Sequence, residues 1–374
     1  MKTPFYFYDI NLLRKTLEYV KAETAKYGYE VHYAVKANAN RKILNIIAEY
    51  GFGADCVSGN EITRSLETGF PHQRIVFAGV GKSDDEINTG LENNIFCFNC
   101  ESLQEMEVIN DLAGKRKIKA DIALRINPNI DPKTHHYITT GLEENKFGIN
   151  RWELEKIVNA LTRLKNINFI GLHFHIGSQI TDLEIFKSLC LHVNEIQDWF
   201  AKHNMHFHHL NVGGGLGVNY EQPDKYPVND FKSFFGIFND ILDLRPGQKL
   251  HFELGRALVA QCGSLISKVL YIKEGVNTDF IILDAGMTEL IRPALYQAYH
   301  KVDNLTPGVK KKKYDVVGPI CESSDTFGKA LILPETKRGD IIAIRTTGAY
   351  GEVMSSQYNL RDLPNSVFSD AVFL

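Results

Sequence analysis

Between about residues 25 and 260, short β-rich runs alternate with amphipathic helical stretches, and few folds accommodate that order. Strand, helix, strand in strict alternation is the pattern of a parallel sheet with crossover helices. Eight runs can be counted: 31–36, 53–57, 74–78, 95–99, 121–127, 169–176, 209–212 and 250–254. Helix candidates lie between them at 41–50, 61–68, 84–93, 103–113, 151–163, 183–202 and 230–242. Eight such units predict closure into a (β/α)8 barrel rather than an open doubly wound sheet. A barrel occupies some 250 residues, so a chain of 374 has room for one smaller domain.

After residue 260 the texture becomes strand after strand, at 264–272, 279–283, 314–317, 330–333 and 340–346, with turn residues between them and no long helix. The expected organisation is a barrel over 25–260 and a mainly β domain from 261–374, completed by 1–24 with a strand at Phe5 to Tyr8.

A formal charge of −3 gives no reason to expect a nucleic-acid partner, and the isolated run Lys310 to Lys313 reads as a solvated turn. No apolar run approaches the roughly 20 residues that span a bilayer, and the N-terminus lacks the apolar core of a secretory signal, so the expected location is the cytoplasm. Six scattered cysteines fit reduced thiols. Cys97-x-x-Cys100 alternates like a buried strand and has no second ligand pair, so no metal site is expected there. His203, His206, His208 and His209 read as a solvated helix end and strand start.

Chemistry in a barrel of this kind sits at the carboxyl ends of the strands. Polar and glycine-rich residues gather at those ends: Lys36, then Asp55 and Ser58, Arg125 and Asn127, His175 and Ser178, Gly213 to Gly215, and Glu253 with Arg256. Lys36 closes the apolar run Val31-His32-Tyr33-Ala34-Val35, where lowered solvation favours the neutral, nucleophilic amine. Gly213-Gly214-Gly215-Leu216-Gly217 follows a strand and has the composition of a phosphate-binding loop. It lacks the Gly-Lys-Ser/Thr of a Walker motif, and it falls at the seventh run rather than at the first, where a dinucleotide fold would carry it. A phosphate cradle plus a strand-end lysine points to pyridoxal 5'-phosphate joined to Lys36. Glu253 is placed to keep the pyridine nitrogen protonated, and His175 to lie flat on the ring.

Six motifs in order carry a resemblance: Tyr33-Ala34-Val35-Lys36-Ala37-Asn38, His175-Ile176-Gly177-Ser178-Gln179, Gly213 to Gly217, Glu253-x-Gly255-Arg256, Cys321-Glu322-Ser323-x-Asp325 and Gly348-Ala349-Tyr350. Together they resemble the diaminopimelate decarboxylases, in the alanine-racemase-like class of pyridoxal phosphate enzymes. Leu254 is a departure, since that position is often proline in the family. The resemblance implies decarboxylation of meso-2,6-diaminopimelate to L-lysine, with Lys36, His175 and Cys321 as catalytic residues. It implies cofactor contacts from Lys36, His175, Ser178, Gly213, Gly214, Gly215, Glu253, Gly255, Arg256 and Tyr350. Substrate contacts are implied for Arg256, Arg292, Tyr296, Glu322 and Tyr350, and so is a homodimer in which the second subunit contributes the Cys321-Glu322 loop. Decarboxylases of ornithine, arginine or carboxynorspermidine are the nearest rivals; Arg292 and the Cys321-Glu322-Ser323 stretch argue against them by supplying groups for a distal amino-acid end. A catalytically dead regulatory protein would be expected to have lost Lys36, Glu253 or Cys321, and all three are present.

Overall fold

The computed structural model describes residues 2–130 and 146–371, and it divides them into two compact units. The first strand, β1 (Phe5–Tyr8), belongs to the β unit, and the helix Ile10–Ala25 leads from it into the barrel. Eight parallel strands follow and close on themselves: β2 (Glu30–Ala34), β3 (Gly53–Cys56), β4 (Ile75–Phe77), β5 (Cys97–Cys100), β6 (Ala120–Arg125), β7 (Ile167–His173), β8 (His209–Asn211) and β9 (Lys249–Leu254). Closure is made by β9 pairing with β2, in a register that sets His32 opposite Glu253.

Local chemistry explains where the crossover helices start. Asn40, Ser58, Ser102 and Asp230 each accept a backbone N–H of the first turn that follows, and Ser83 with Glu86 forms a reciprocal capping box. Ser58, one of the strand-end polar residues, is therefore engaged as a helix cap. Apolar faces such as Ile43, Leu44, Ile46 and Ile47, or Phe231, Phe234, Phe235 and Phe238, are buried. At roughly 1.5–3 kcal/mol for each large apolar side chain removed from water, these faces hold the helices on the barrel.

The β unit consists of residues 1–16, 218–229 and 256–374. Its strands are β1, β10 (Gly263–Lys273), β11 (Asp279–Leu283), β12 (Val302–Asn304), β13 (Lys311–Val317), β14 (Thr326–Pro334), β15 (Ile341–Arg345) and β16 (Asn365–Phe368). They form one sheet ordered β12-β15-β10-β11-β13-β14, with β1 joining β10 to β16. The division differs from the span 25–260 at three places: it begins at Leu17, ends at Gly255, and gives 218–229 to the β unit. Lys311 to Lys313 are exposed but lie in β13, paired with β14, so this run is a strand where a turn is expected. No helix among the described residues is long and apolar enough to cross a membrane.

Candidate active site

At the carboxyl ends of the barrel strands lies a cavity of about 370 Å³, lined in part by Lys36, Gly79, Lys82, Arg125, His175 and Glu253. That is within the range of small-molecule sites. Lys36 stands in a 3-10 turn directly after β2, and its Nζ donates to Oδ2 of Asp55 at 2.6 Å. Asp55 is fully buried on β3, and its other oxygen has no hydrogen-bond partner among the described residues. Burial and then the nearby Glu253 carboxylate push the Asp55 carboxyl up to about 6, against the pull of Lys36.

Glu253 is held from three sides. Asn99 and Asn211 donate their amide N–H groups to Oε1 at 3.1 and 2.9 Å, and His173 Nε2 donates to Oε2 at 2.9 Å. Burial alone would raise this carboxyl, but the field and hydrogen bond of His173, with Lys36 and His175 behind them, hold it well below the usual carboxylate range. An ionised acid buried on three donors is what a protonated pyridine nitrogen requires. His175 is half-buried, and its Nδ1 accepts from the Gly214 N–H at 3.3 Å, so the neutral ring carries its proton on Nε2. Removal from water, then Arg125 and Lys36, pushes this imidazole well below its ordinary value.

The glycine loop is bare because nothing else fits. A Cβ on Gly213 would stand 2.2 Å from the Phe174 carbonyl oxygen, and one on Gly214 would stand 1.9 Å from that of Glu253. Gly213 also has φ +71°, and its N–H donates to Asn211 Oδ1 at 2.9 Å. A Cβ on Gly255 would lie 3.0 Å from both Ala34 and Ala37. Amine, buried acid, neutral imidazole and bare loop together fit pyridoxal phosphate. Farther round the rim, Arg125 pairs with buried Glu101 at 2.7 Å, and Glu101 accepts the N–H groups of Gly79 and Gly148, bracing two loops. Lys82 is almost fully buried and donates to Glu105 and to the carbonyls of Gly79 and Asn99.

The β unit gathers a second group. Arg256 Nη1 donates to the Tyr220 hydroxyl at 2.5 Å, and Arg292 Nη2 donates to the same oxygen at 3.4 Å. The Tyr350 ring lies 4.8 Å from the Arg256 guanidinium, and the Tyr296 ring 6.0 Å from that of Arg292. Both arginines are buried. Cys321 and Glu322 are not part of this cluster: both are exposed, and Glu322 accepts from the Tyr358 hydroxyl at 2.8 Å. Their loop is fixed by Asp325, which accepts the N–H groups of Met287 and Ile320 at 2.6 and 2.7 Å.

Sequence reasoning assigns no role to His173, Asn99 and Asn211 around Glu253, to Asp55 beside Lys36, or to Tyr220 and His300 beside the arginines. The parity of His173 with His175 was the available signal for one of them. His209 is also buried rather than solvated: it packs against His251 and Phe96 in the barrel interior, with ring centroids at 4.2 and 5.1 Å.

The model of the pyridoxal-dependent decarboxylases, pyridoxal binding domain, matches residues 11–260. A diaminopimelate decarboxylase of Bacteroides thetaiotaomicron is 58% identical over 371 residues, 99% of this chain and 96% of that protein. One from Helicobacter pylori is 44% identical over 96% of this chain and 88% of its own length. The crystal structure of diaminopimelate decarboxylase from Helicobacter pylori complexed with L-lysine superposes with a TM-score of 0.93 at 41% identity, covering 98% of this chain and 92% of that one. The chain therefore belongs to the diaminopimelate decarboxylase family of pyridoxal-dependent enzymes.

Proposed function

We propose that this chain converts meso-2,6-diaminopimelate to L-lysine and carbon dioxide, the last step of lysine biosynthesis, using pyridoxal 5'-phosphate, as a cytoplasmic homodimer. The observation that carries the reading is the triply held Glu253 carboxylate beside the Lys36 amine in a barrel whose relatives bear that name. When bound, the cofactor supplies the electron sink into which the bond to carbon dioxide breaks.

The chain's own residues do the rest. Lys36 would be the covalent anchor. Glu253, kept ionised by His173, would hold the proton on the pyridine nitrogen, and His175, kept neutral, would contact the ring. The bare backbone of Gly213, Gly214 and Gly215, with Ser178 and the Gly255-Arg256 peptide, would take the phosphate, and Tyr350 would be a further cofactor contact. Arg256, Arg292, Tyr296 and Glu322 hold the amino-acid end that is not lost, because guanidinium forks suit a carboxylate and a carboxylate suits an ammonium. The Cys321 thiol returns a proton to the carbon that lost carbon dioxide. Cys321 and Glu322 come from the second subunit in this reading, which suits their exposure in a single chain. The cytoplasmic location suits six cysteines free of disulfides.

The test is to supply meso-diaminopimelate to the purified protein with pyridoxal phosphate and to measure lysine and carbon dioxide. Both should form, and Lys36→Ala should lose both together with the visible absorbance of the bound cofactor. Consumption of ornithine or carboxynorspermidine, with meso-diaminopimelate untouched, refutes the substrate.

A further inference from the structure

His300 lies outside every role assigned above, yet it is among the most completely enclosed polar side chains of the β unit, at 1% exposure. Its ring is fixed on both sides. Nδ1 is 3.0 Å from the Arg345 carbonyl oxygen, which can only accept, so Nδ1 carries the proton. Nε2 is then a bare lone pair, and it accepts the Nε–H of Arg292 at 3.2 Å. Tyr220 packs its edge against the imidazole, with centroids 5.0 Å apart at 82°, and offers its hydroxyl oxygen to Nη2 of Arg292.

This arrangement limits what Arg292 can do. A guanidinium has five N–H donors and binds a carboxylate through two parallel ones, either along its side, using Nε, or at its end, using the two Nη groups. His300 occupies Nε, so the side-on fork is closed and the end-on fork remains. Burial, and after it the Arg292 charge, pushes the imidazole down to about 3 despite the Arg345 carbonyl, so the accepting lone pair persists throughout the working pH range.

We propose that His300 is a positioning residue that, with Tyr220, fixes the Arg292 guanidinium end-on toward the ligand and so sets the requirement for a carboxylate on the retained end of the substrate. This rests on the reading that Arg292 binds that carboxylate. Without His300 the guanidinium keeps only the longer hydrogen bond to Tyr220, and a fork that must be ordered at each binding event holds a carboxylate less well.

L-lysine and cadaverine differ by that one carboxylate, so their competition constants against the holoenzyme read the effect directly. His300→Phe keeps a ring of similar size but has no acceptor for Nε. It should reduce the preference for L-lysine over cadaverine by tenfold or more, leave cadaverine within twofold, and raise KM for meso-diaminopimelate more than it lowers kcat. His300→Gln, whose carbonyl oxygen can take the place of Nε2, should restore most of the preference. A merely structural role would weaken both ligands alike. His300→Met serves the same purpose if the phenylalanine variant does not fold. A preference unchanged within twofold in a folded His300→Phe or His300→Met protein overturns the proposal. Arg292→Met separates the two readings: if it abolishes the preference while His300→Phe does not, only the positioning role fails, and if it too leaves the preference intact, the carboxylate role of Arg292 fails.

Discussion

Glu253 depends on side chains from three other strands. Asn211 serves it twice, because its amide N–H groups reach Glu253 while its Oδ1 takes the Gly213 N–H. Replacing Asn211 with the nearly isosteric leucine leaves a buried carboxylate one donor short and a buried backbone N–H without its acceptor. Each loss costs about 1–3 kcal/mol, so Asn211→Leu should lower stability by roughly 2–6 kcal/mol in urea denaturation. A loss below 1 kcal/mol would mean that water replaces the amide at both places. Asp55 works the other way. Its carboxyl titrates near pH 6, so its charge opposite Lys36 is lost as the pH falls through that value.

At the scale of elements, the close approach of β8 and β9 is made by glycine. The Glu253 N–H donates to the Gly213 carbonyl at 2.8 Å, and any Cβ on Gly214 would lie inside the contact radius of the Glu253 carbonyl oxygen. Gly214→Ala must therefore push the loop off the strand rather than move a flexible side chain. Overpacking of this kind costs about 1–3 kcal/mol or more, and the variant should also retain pyridoxal phosphate poorly, as equilibrium dialysis would register; full stability with full retention would refute the steric argument. The barrel itself was legible because period and strand propensity repeat eight times, and all eight runs overlap observed strands. The strands β12 and β16 were not, since three or four residues of mixed polarity carry no period. Lys311 to Lys313 misled because lysine is depleted from strands, yet here the backbone pairs with Leu333 and Ile332 while the side chains stay in water. Within the site, Lys36, His175 and Glu253 were legible because each ends a run. Asn99, His173 and Asn211 were not, because their common partner Glu253 is 42 to 154 residues away and meets them only when the sheet closes.

At the scale of the whole molecule, five imidazoles among the described residues are held below their ordinary values by burial before any other cause: His32, His175, His209, His251 and His300. Each takes up its proton at a lower pH in the folded chain than in the unfolded one, where histidine titrates near about 6.5. Stability from these groups is complete above about pH 7.5 and falls as the pH drops through 6.5. Carboxyls removed from water oppose them, Asp55 raised to about 6 and half-buried Glu61 to about 7, with Glu289 and Asp325 also raised, since the folded state binds their protons first and gains as the pH falls. The imidazole contribution prevails, so stability should fall as the pH drops from about 7.5 to about 5.5, readable as urea midpoints across that range. His209 isolates one share of this slope, because neither of its ring nitrogens has a partner among the described residues. Leucine in its place removes two unsatisfied polar atoms and one latent charge, so His209→Leu should match or exceed the parent in stability at pH 7.5. Its slope near pH 6 should be shallower by about 1 kcal/mol per pH unit, and an unchanged slope would show that a buried water or a shift of the barrel lining already accommodates the charged ring.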